Sequence, residues 1–565
     1  MKRIFPTRRG KFPIDEKSFF TPLYKYVMKK VSRLRLFLYF CIVLRIGIKI
    51  TIIILLLTAS STSTKADSGV GRIFEGIEGV AEAQVTTSDG EHNPLWLNAN
   101  KYGLSSVENS NGYLRGSIVR DLNNDSLRKW GIGYGVDLAV ASHFTSKFIV
   151  QQAFVEGRYK RGVLTIGSKQ HELNLKNQEL SSGSQTLGIN ARPLPEVRIE
   201  MPDYWEIPGL KGWLAFRGHL AYGIQTDDNW QEEFTEEKSK YTEKTLYHSK
   251  SGFLRIGPDN LPLQFELGME WGCQFGGRSY GVSVDGKKLK IWNQQDFKAI
   301  WHAFMPDMGK IGDADESIYS NSLGNHLGSW VARLTYKGKG WKVAAYIDHY
   351  FEDHSQLLFL DFDGYGSGDD WDKKKDNRFY RYKFKDCLIG LEGTLPRNPF
   401  VSTIVAEYIY TKYQSGPIFH DHTITISDHY AGRDDYYNHH IFSGWQHWGQ
   451  VMGNPLYLSP IYNESHKIQV EDNRFSAWHF GVNGDPTDNV HYRLLATFQK
   501  GYGTYSTPYP DPRNNFSFLA EAAYDFSSLV GQKGWSIKGA FALDRGKLMG
   551  DNTGCQFTLT KRFGK

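Results

Sequence analysis

Segments in which apolar and polar residues alternate one by one recur along this 565-residue chain, and they limit its possible folds more than any other feature. Successive side chains of a β-strand point to opposite faces, so alternation gives a strand one greasy side and one wet side. Between Trp535 and Leu543, Trp535, Ile537, Phe541 and Leu543 share one face, and Ser536, Lys538, Ala540 and Ala542 share the other. From Trp130 the apolar set is Trp130, Ile132, Tyr134, Val136, Leu138 and Val140, opposed by Gly131, Gly133, Gly135, Asp137 and Ala139. Trp330, Ala332, Leu334 and Tyr336 oppose Ser329, Arg333, Thr335 and Lys337. A KGKG turn follows, and Trp341, Val343, Ala345 and Ile347 open the returning strand of a tight hairpin.

The pattern continues to the end of the chain. Ile404, Ala406, Tyr408 and Tyr410 oppose Thr403, Glu407 and Thr411, and Tyr492, Leu494, Ala496 and Phe498 oppose His491, Arg493, Thr497 and Gln499. Phe516, Phe518, Ala520, Ala522, Tyr524 and Phe526 oppose Ser517, Glu521 and Asp525. The last segment sets Cys555, Phe557, Leu559 and Phe563 against Gln556, Thr558, Thr560 and Arg562, with Lys561 interrupting its apolar face. A soluble β-sandwich alternates in the same way, with its greasy faces packed on each other. A transmembrane barrel turns them to lipid instead.

A leader, the Tyr and Trp content and this last segment shift the balance to the barrel. Met28, Lys29, Lys30, Arg33 and Arg35 give a positive start, an apolar stretch runs from Leu36 with its strongest part at Ile50 to Leu57, and small residues lead to Ala66. This is the order of a secretory signal, so residues 1–66 are read as a removable leader, with Met28 as an alternative start. An uncleaved anchor would have to bury Arg45 and Lys49 at the centre of the span. Cys41, preceded by Leu38, Tyr39 and Phe40, lacks the small neighbours of a lipid-attachment cysteine.

The formal net charge of +6 belongs to the leader. Beyond residue 66 there are 53 Lys and Arg against 59 Asp and Glu, a balance of −6, which removes the case for a nucleic-acid partner. Cys273, Cys387 and Cys555 make neither a disulfide framework nor a zinc-binding spacing. No later run is long enough for a membrane helix, so a membrane-embedded chain must cross as strands. Aromatics at 14% and 57 glycines suit aromatic girdles and curved strands.

The expected fold class is therefore an all-β, transmembrane antiparallel barrel with a small helical element. Residues 67–129 are read as an N-terminal segment with a short helix and a first strand region, and residues 130–565 as the barrel. In that helix Asn93 is the N-cap and Pro94 the first helical position, with Leu95, Ala99 and Tyr102 on one face and Gly103 as the stop; it is placed ahead of the barrel. A second helix runs from Gln295 to Met305, with Phe297, Ile300, Trp301 and Phe304 packing against the barrel end. Pro193, Pro195, Pro202 and Pro208 argue against a central strand there and for an ordered loop or crossing.

WLNANKYG from Trp96, GIGYGVDLAV from Gly131, LTIGSKQHE from Leu164, LSSGSQTLGINARPLPEVRI from Leu180 and YYNHHIFSGWQHWGQVMGNPL from Tyr436 occur in this order. Over essentially the whole mature chain they resemble the Wzi capsule-assembly family of outer-membrane proteins, in its Bacteroides-like form. The resemblance implies a barrel of roughly eighteen strands, a helical element at the periplasmic side and loops closing the outer mouth. It further implies a lectin-like protein that attaches capsular or other surface polysaccharide to the cell and is not itself the export channel. Outer-membrane lipid and the capsule export machinery would be its other partners, and no cofactor is expected. A porin for small solutes or oligosaccharides is the rival reading of the same barrel.

Glycan sites use aromatic faces against sugar CH groups, planar polar groups against hydroxyls, and Arg or Lys against uronic acids. The segment His429 to Leu456 is dense in such residues: Tyr430, Arg433, Asp434, Asp435, Tyr436, Tyr437, Asn438, Trp445, His447, Trp448 and Asn454. These are candidate polysaccharide contacts, set against the alternative that they pack a loop into the barrel mouth; Arg192 and Arg198 are second-line candidates. The histidines at 420, 422, 429, 439, 440 and 447 fix no third metal ligand, and Asp361 to Asp372 departs from the EF-hand spacing, so no metal is assigned. No GxSxG elbow occurs, and the neighbours Asp428–His429 and Asp353–His354 would point to opposite faces of a strand, so no enzyme is expected.

Overall fold

The computed structural model describes residues 74–564, apart from 285, 306–323, 353–359, 363–367, 372, 374–376, 380–385 and 415–433. The leader lies outside these residues. Eighteen strands form one sheet. The first nine are β1 (Ile77–Asp89), β2 (Ser110–Arg120), β3 (Trp130–Ser142), β4 (Phe148–Tyr159), β5 (Gly162–Ser168), β6 (Pro195–Glu206), β7 (Leu214–Ile224), β8 (Leu246–Ile256) and β9 (Leu263–Phe275). The second nine are β10 (Asn325–Gly338), β11 (Trp341–Glu352), β12 (Cys387–Thr394), β13 (Thr403–Tyr410), β14 (Phe475–Thr487), β15 (Val490–Gly503), β16 (Pro508–Asp525), β17 (Trp535–Gly546) and β18 (Asn552–Phe563). Each pairs antiparallel with the next, and β18 returns to β1 from Gly79↔Phe563 to Asp89↔Thr553, so the sheet closes without an edge.

Alternation sets the two surfaces. On β3, Trp130, Ile132, Val136 and Val140 are exposed outside while Gly131, Gly133, Gly135 and Asp137 are buried inside. Leu164 and Ile166 on β5 and Val197 and Ile199 on β6 extend the apolar belt. Aromatic pairs sit at the end where the turns are short: Trp130 with Tyr159 (ring centroids 4.3 Å apart) and Tyr336 with Trp341 (5.4 Å). A closed sheet with this belt and girdle is an outer-membrane β-barrel. Among the described residues no helix is long and apolar enough to cross a membrane.

Connections at the termini end are short, as at 160–161, 339–340 and 488–489, whereas those at the other end include 90–109, 169–194 and 411–474. This asymmetry is that of periplasmic turns and extracellular loops. Three of the long connections turn into the lumen. Residues 90–109 carry helix α1 (Leu95–Asn98), where Leu95 N donates to Asp544 Oδ2 of β17 (3.0 Å) and Trp96 Nε1 to Thr497 Oγ1 of β15 (3.1 Å). Residues 169–194 place Ser181 and Ser182 on Glu407 of β13, Ser184 on Glu270 of β9, and Lys176 Nζ 2.7 Å from Asp348 of β11. From 434–474, Tyr436, Tyr437, Trp445, Leu456 and Tyr457 join Leu97 and Leu180 in the largest buried apolar cluster. The polar inner face thus hydrogen-bonds to folded loops, and several charges on it are paired: Arg115 with Asp137 (2.6 Å), Arg333 with Glu392 (2.9 Å) and Arg493 with Glu521 (2.9 Å).

Four sequence expectations are corrected. The barrel starts at Ile77 rather than at 130, because β1 and β2 complete the closed sheet. Helix α1 lies inside the lumen, not ahead of the barrel or at its periplasmic side, and spans only one turn with Pro94 at the N-cap; Asn93 instead donates from Nδ2 to Ser106 O (3.0 Å). The proline-rich stretch contains β6, a full wall strand: Pro195 opens it, and Pro202 falls where the register to β7 shifts between Met201 and Trp205, so no ladder N–H is missed. Finally, Phe297, Ile300 and Trp301 are exposed and do not pack on the barrel, to which their helix is joined by Ala299 and Ala303.

Candidate functional site

The connection 169–194 leaves the wall at Ser168 and returns at Pro195, its cross-strand partner, after descending into the lumen. Between its two legs and the wall lies a cavity of about 100 Å³. Lys169, His171 and Asn174 line it from the outgoing leg, Leu187, Gly188 and Ala191 to Leu194 from the returning leg, and Glu196, Arg198, His219, Tyr247 and Ser249 from β6, β7 and β8. Tyr102 and Trp445 close it from the other two inward loops.

Most of its charges cancel. Arg198 donates from Nε to Glu200 (2.7 Å) and lies 3.5 Å from Glu196; Lys169 pairs with Glu156 (2.5 Å), and His171 lies 3.4 Å from Glu196. His219 meets Ser251 Oγ at 2.7 Å and Ser249 Oγ at 3.1 Å. Arg192 is different. It is 6% exposed, donates from Nη2 to Thr145 Oγ1 (3.2 Å), and lies 4.3 Å from the centroid of the Trp448 ring. Its Nε is buried without a hydrogen-bond partner, and among the described residues no carboxylate pairs with it. Burial alone lowers its pKa to about 10, so it remains a cation at neutral pH.

The backbone holds this arginine in place. His447 contacts Arg192 O through Nδ1 (2.8 Å) and Thr226 O through Nε2 (2.7 Å), and burial, the largest influence on its pKa, lowers it to about 4. Gly103 runs past Arg192 with φ +66°, and a Cβ there would come within 2.5 Å of Arg192 N, so only glycine suits both the conformation and the approach. On the other side Trp445 donates from Nε1 to Thr186 O (2.9 Å) and lies against Gly272 of β9, where a Cβ would be 2.3 Å from its ring.

The predicted contacts separate into four groups. Tyr430 and Arg433 lie outside the described residues, as do His420, His422 and His429. Tyr436, Tyr437, Trp445, His447 and Asn454 are buried and committed internally: Tyr436 Oη donates to Asp386 (2.9 Å), Tyr437 Oη to Gln185 O, and Asn454 Nδ2 to Ser182 Oγ (3.2 Å). Of these only Trp445 reaches the cavity, so for the rest the aromatic density of this segment reflects packing of the plug. Asn438 bonds Asp435 and Val470, and Asp434, like Asn438, is half-buried. Arg192 and Arg198 do meet at one cavity, with Trp448 on the arginine's face.

Sequence reasoning missed Lys169, His171, His219 and Tyr247. The first two stand in LTIGSKQHE, at the start of the connection that also carries Arg192, but their convergence depends on the path of the loop. Of the acidic stretch, Asp369 and Asp370 are exposed and Asp370 pairs with Lys373 (2.5 Å). Among the described residues no group of three or more His, Cys, Asp or Glu side chains could hold a metal ion. Chemically, the site offers a fixed guanidinium with free donor capacity, an indole face and tyrosine rings. That set suits an acidic or hydroxyl-bearing ring, and the volume is well below the ~300–1,000 Å³ of a drug-sized ligand site.

No protein-family model matches the chain, and no curated protein does. Among solved structures it is similar to Wzi of Escherichia coli, an outer-membrane protein involved in group 1 capsule assembly that is described as a carbohydrate-binding β-barrel. Identity is 13% over 85% of this chain and 83% of that chain, with a TM-score of 0.50. Pseudomonas aeruginosa OprD is 8% identical over 86% of this chain and 94% of its own, with a TM-score of 0.39. The likeness at these identities is one of fold, that of an outer-membrane β-barrel.

Proposed function

We propose that this barrel is a surface lectin of the Wzi type, which binds capsular or related polysaccharide and holds it at the cell surface without turning it over. The observation that carries this reading is the lumen: three inward loops fill it, and their packing leaves a cavity lined by an unpaired arginine and aromatic rings. A lumen filled by loops whose hydroxyls bond the wall's carboxylates favours this reading over a diffusion porin. The carbohydrate-binding Wzi barrel, with which the fold is shared, adds support for the ligand class. In this reading Arg192 receives an acidic or hydroxyl group of the polymer, with the rings of Trp448 and Trp445 beside it. The lipid partner surrounds the apolar belt, and the export machinery delivers the polymer.

The test combines two measurements on the refolded barrel: binding of the host's purified capsular polysaccharide against an unrelated polymer, and conductance in a planar bilayer. Selective binding with little conductance is the expected result. Steady conductance without binding would make the protein a porin. Release of shortened polymer during the incubation would make it an enzyme.

A further inference from the structure

Helix α2 (Phe297–Phe304), in the connection between β9 and β10, is built the wrong way round for a helix on a water-soluble surface. Its apolar stripe, Phe297, Ile300, Trp301 and Phe304, follows the i, i+3, i+4, i+7 spacing that ordinarily faces a core. Here the small residues Ala299 and Ala303 touch the protein, while Phe297 is 80% and Trp301 54% exposed. Met305 extends the exposed stripe, and Lys298 beside it is exposed.

The surface beneath the helix is the outside of the barrel. Ala299 and Ala303 pack with Cys273 and Phe275 of β9. Tyr222 Oη of β7 donates to Ile300 O (3.0 Å), and Lys250 Nζ of β8 donates to Phe304 O and lies 4.8 Å from the Phe304 ring centroid. Residues two apart share a face, so Lys250 points the same way as Leu254 and Ile256, and Cys273 the same way as Leu263 and Leu267. Those four are exposed apolar residues of the belt, whereas Tyr247 and Ser249, of opposite parity to Lys250, line the inner cavity. A lysine on the lipid side of a barrel is expensive near the membrane centre, and the helix resolves this by presenting its C-terminal carbonyl to the ammonium.

We propose that α2 is an interfacial anchor, lying against the outer wall with its stripe in the outer leaflet and Lys298 among anionic headgroups. The occupant of the exposed stripe is lipid, because the stripe continues the belt without a break in character: Tyr222 is level with Val197, and Val197 with Ile166, along the ladders. Such an anchor fixes how deep the barrel sits and covers an outward-facing cation. It is independent of what the lumen binds.

The test uses the full barrel in nanodiscs made with brominated or unlabelled lipid. The emission of Trp301, obtained as wild type minus Trp301→Phe, loses most of its intensity to brominated lipid and little to aqueous acrylamide if the helix is interfacial. Quenching by acrylamide alone would overturn the proposal in favour of a water-facing helix. Quenching by neither would overturn it in favour of a protein cover, such as a second copy of the chain. A Phe297→Trp/Trp301→Phe variant provides a second indole on the same stripe, whose added emission follows the same pattern. Retention of phosphorylated lipid, read by native mass spectrometry, falls about fivefold in Lys298→Gln. Unchanged retention would remove the headgroup part of the proposal.

Discussion

Replacing Glu407 with alanine should release the plug while leaving the barrel standing. The Glu407 carboxylate, on the inner face of β13, accepts from Ser181 Oγ at 2.6 Å, Ser182 N at 2.8 Å and Ser182 Oγ at 2.5 Å, and Tyr346 Oη of β11 donates to it at 2.6 Å. Three of these four bonds tie loop 169–194 to the wall. Hydrogen bonds to a charged group contribute ~1.5–3 kcal/mol each, so the three set an upper limit of ~5–9 kcal/mol. Removing a buried carboxylate also relieves its desolvation, a several-kcal/mol term, which leaves a net loss of ~2–4 kcal/mol. Local opening then becomes about 30- to 900-fold more frequent, since ~1.4 kcal/mol is a factor of ten. Deuterium uptake at residues 180–185 in micelles measures this directly. Bilayer conductance should rise with it, while the sheet amides of β13 and β14 keep their protection. Unchanged uptake at 180–185 in a folded E407A barrel would refute the idea that inner-wall carboxylates hold the plug.

Three further outcomes follow from the same geometry. Arg192→Gln should weaken binding of an acidic polysaccharide by about tenfold, the worth of one desolvated cation, and weaken a neutral polymer less; equal loss for both would contradict the charge role. Asp472, which accepts from Tyr502 N (2.9 Å) and Gly503 N (2.7 Å), has its pKa raised by burial to about 7. A carboxyl with a raised folded pKa contributes stability below its unfolded value of ~3.9 and loses it as pH rises through the folded one. Protection of residues 470–474, corrected for intrinsic exchange, should therefore fall between pH 4 and pH 8, and Asp472→Asn should flatten that profile. Gly272→Ala should drive Trp445 off the wall at a cost of ~1–3 kcal/mol, visible as a lower melting temperature and altered tryptophan emission.

The barrel was legible because a lipid-facing strand must be apolar at every second position, as Trp130 to Val140 shows, and no long-range information is needed to see it. The start of the sheet was not. β1 reads VAEAQV, with alanines on its outer face where bulkier residues mark other strands, so its signal fell below the threshold set by β3. Pro202 misled for a related reason: a proline excludes a ladder hydrogen bond only where the ladder is regular, and a register shift is invisible in sequence. At the site, Arg192 and Arg198 could be singled out by residue type, whereas the more conspicuous Tyr436, Tyr437 and His447 are buried and bonded within the protein. Residue type says what a side chain can bind; only the path of the loop says whether the partner is a ligand or Gln185 O. The stripe on α2 shows the same limit, since its periodicity is correct for burial and silent on whether protein or lipid does the burying.

Nearly every strand pairing in this sheet joins neighbours in sequence, and one does not: Gly79 meets Phe563. Loop-closure entropy and contact order make that last seam the slow event of assembly, since it requires the two most distant strands to meet. β18 thus acts as a latch: a chain stalled before it would present two bare strand edges, a state that invites pairing with another unfinished barrel.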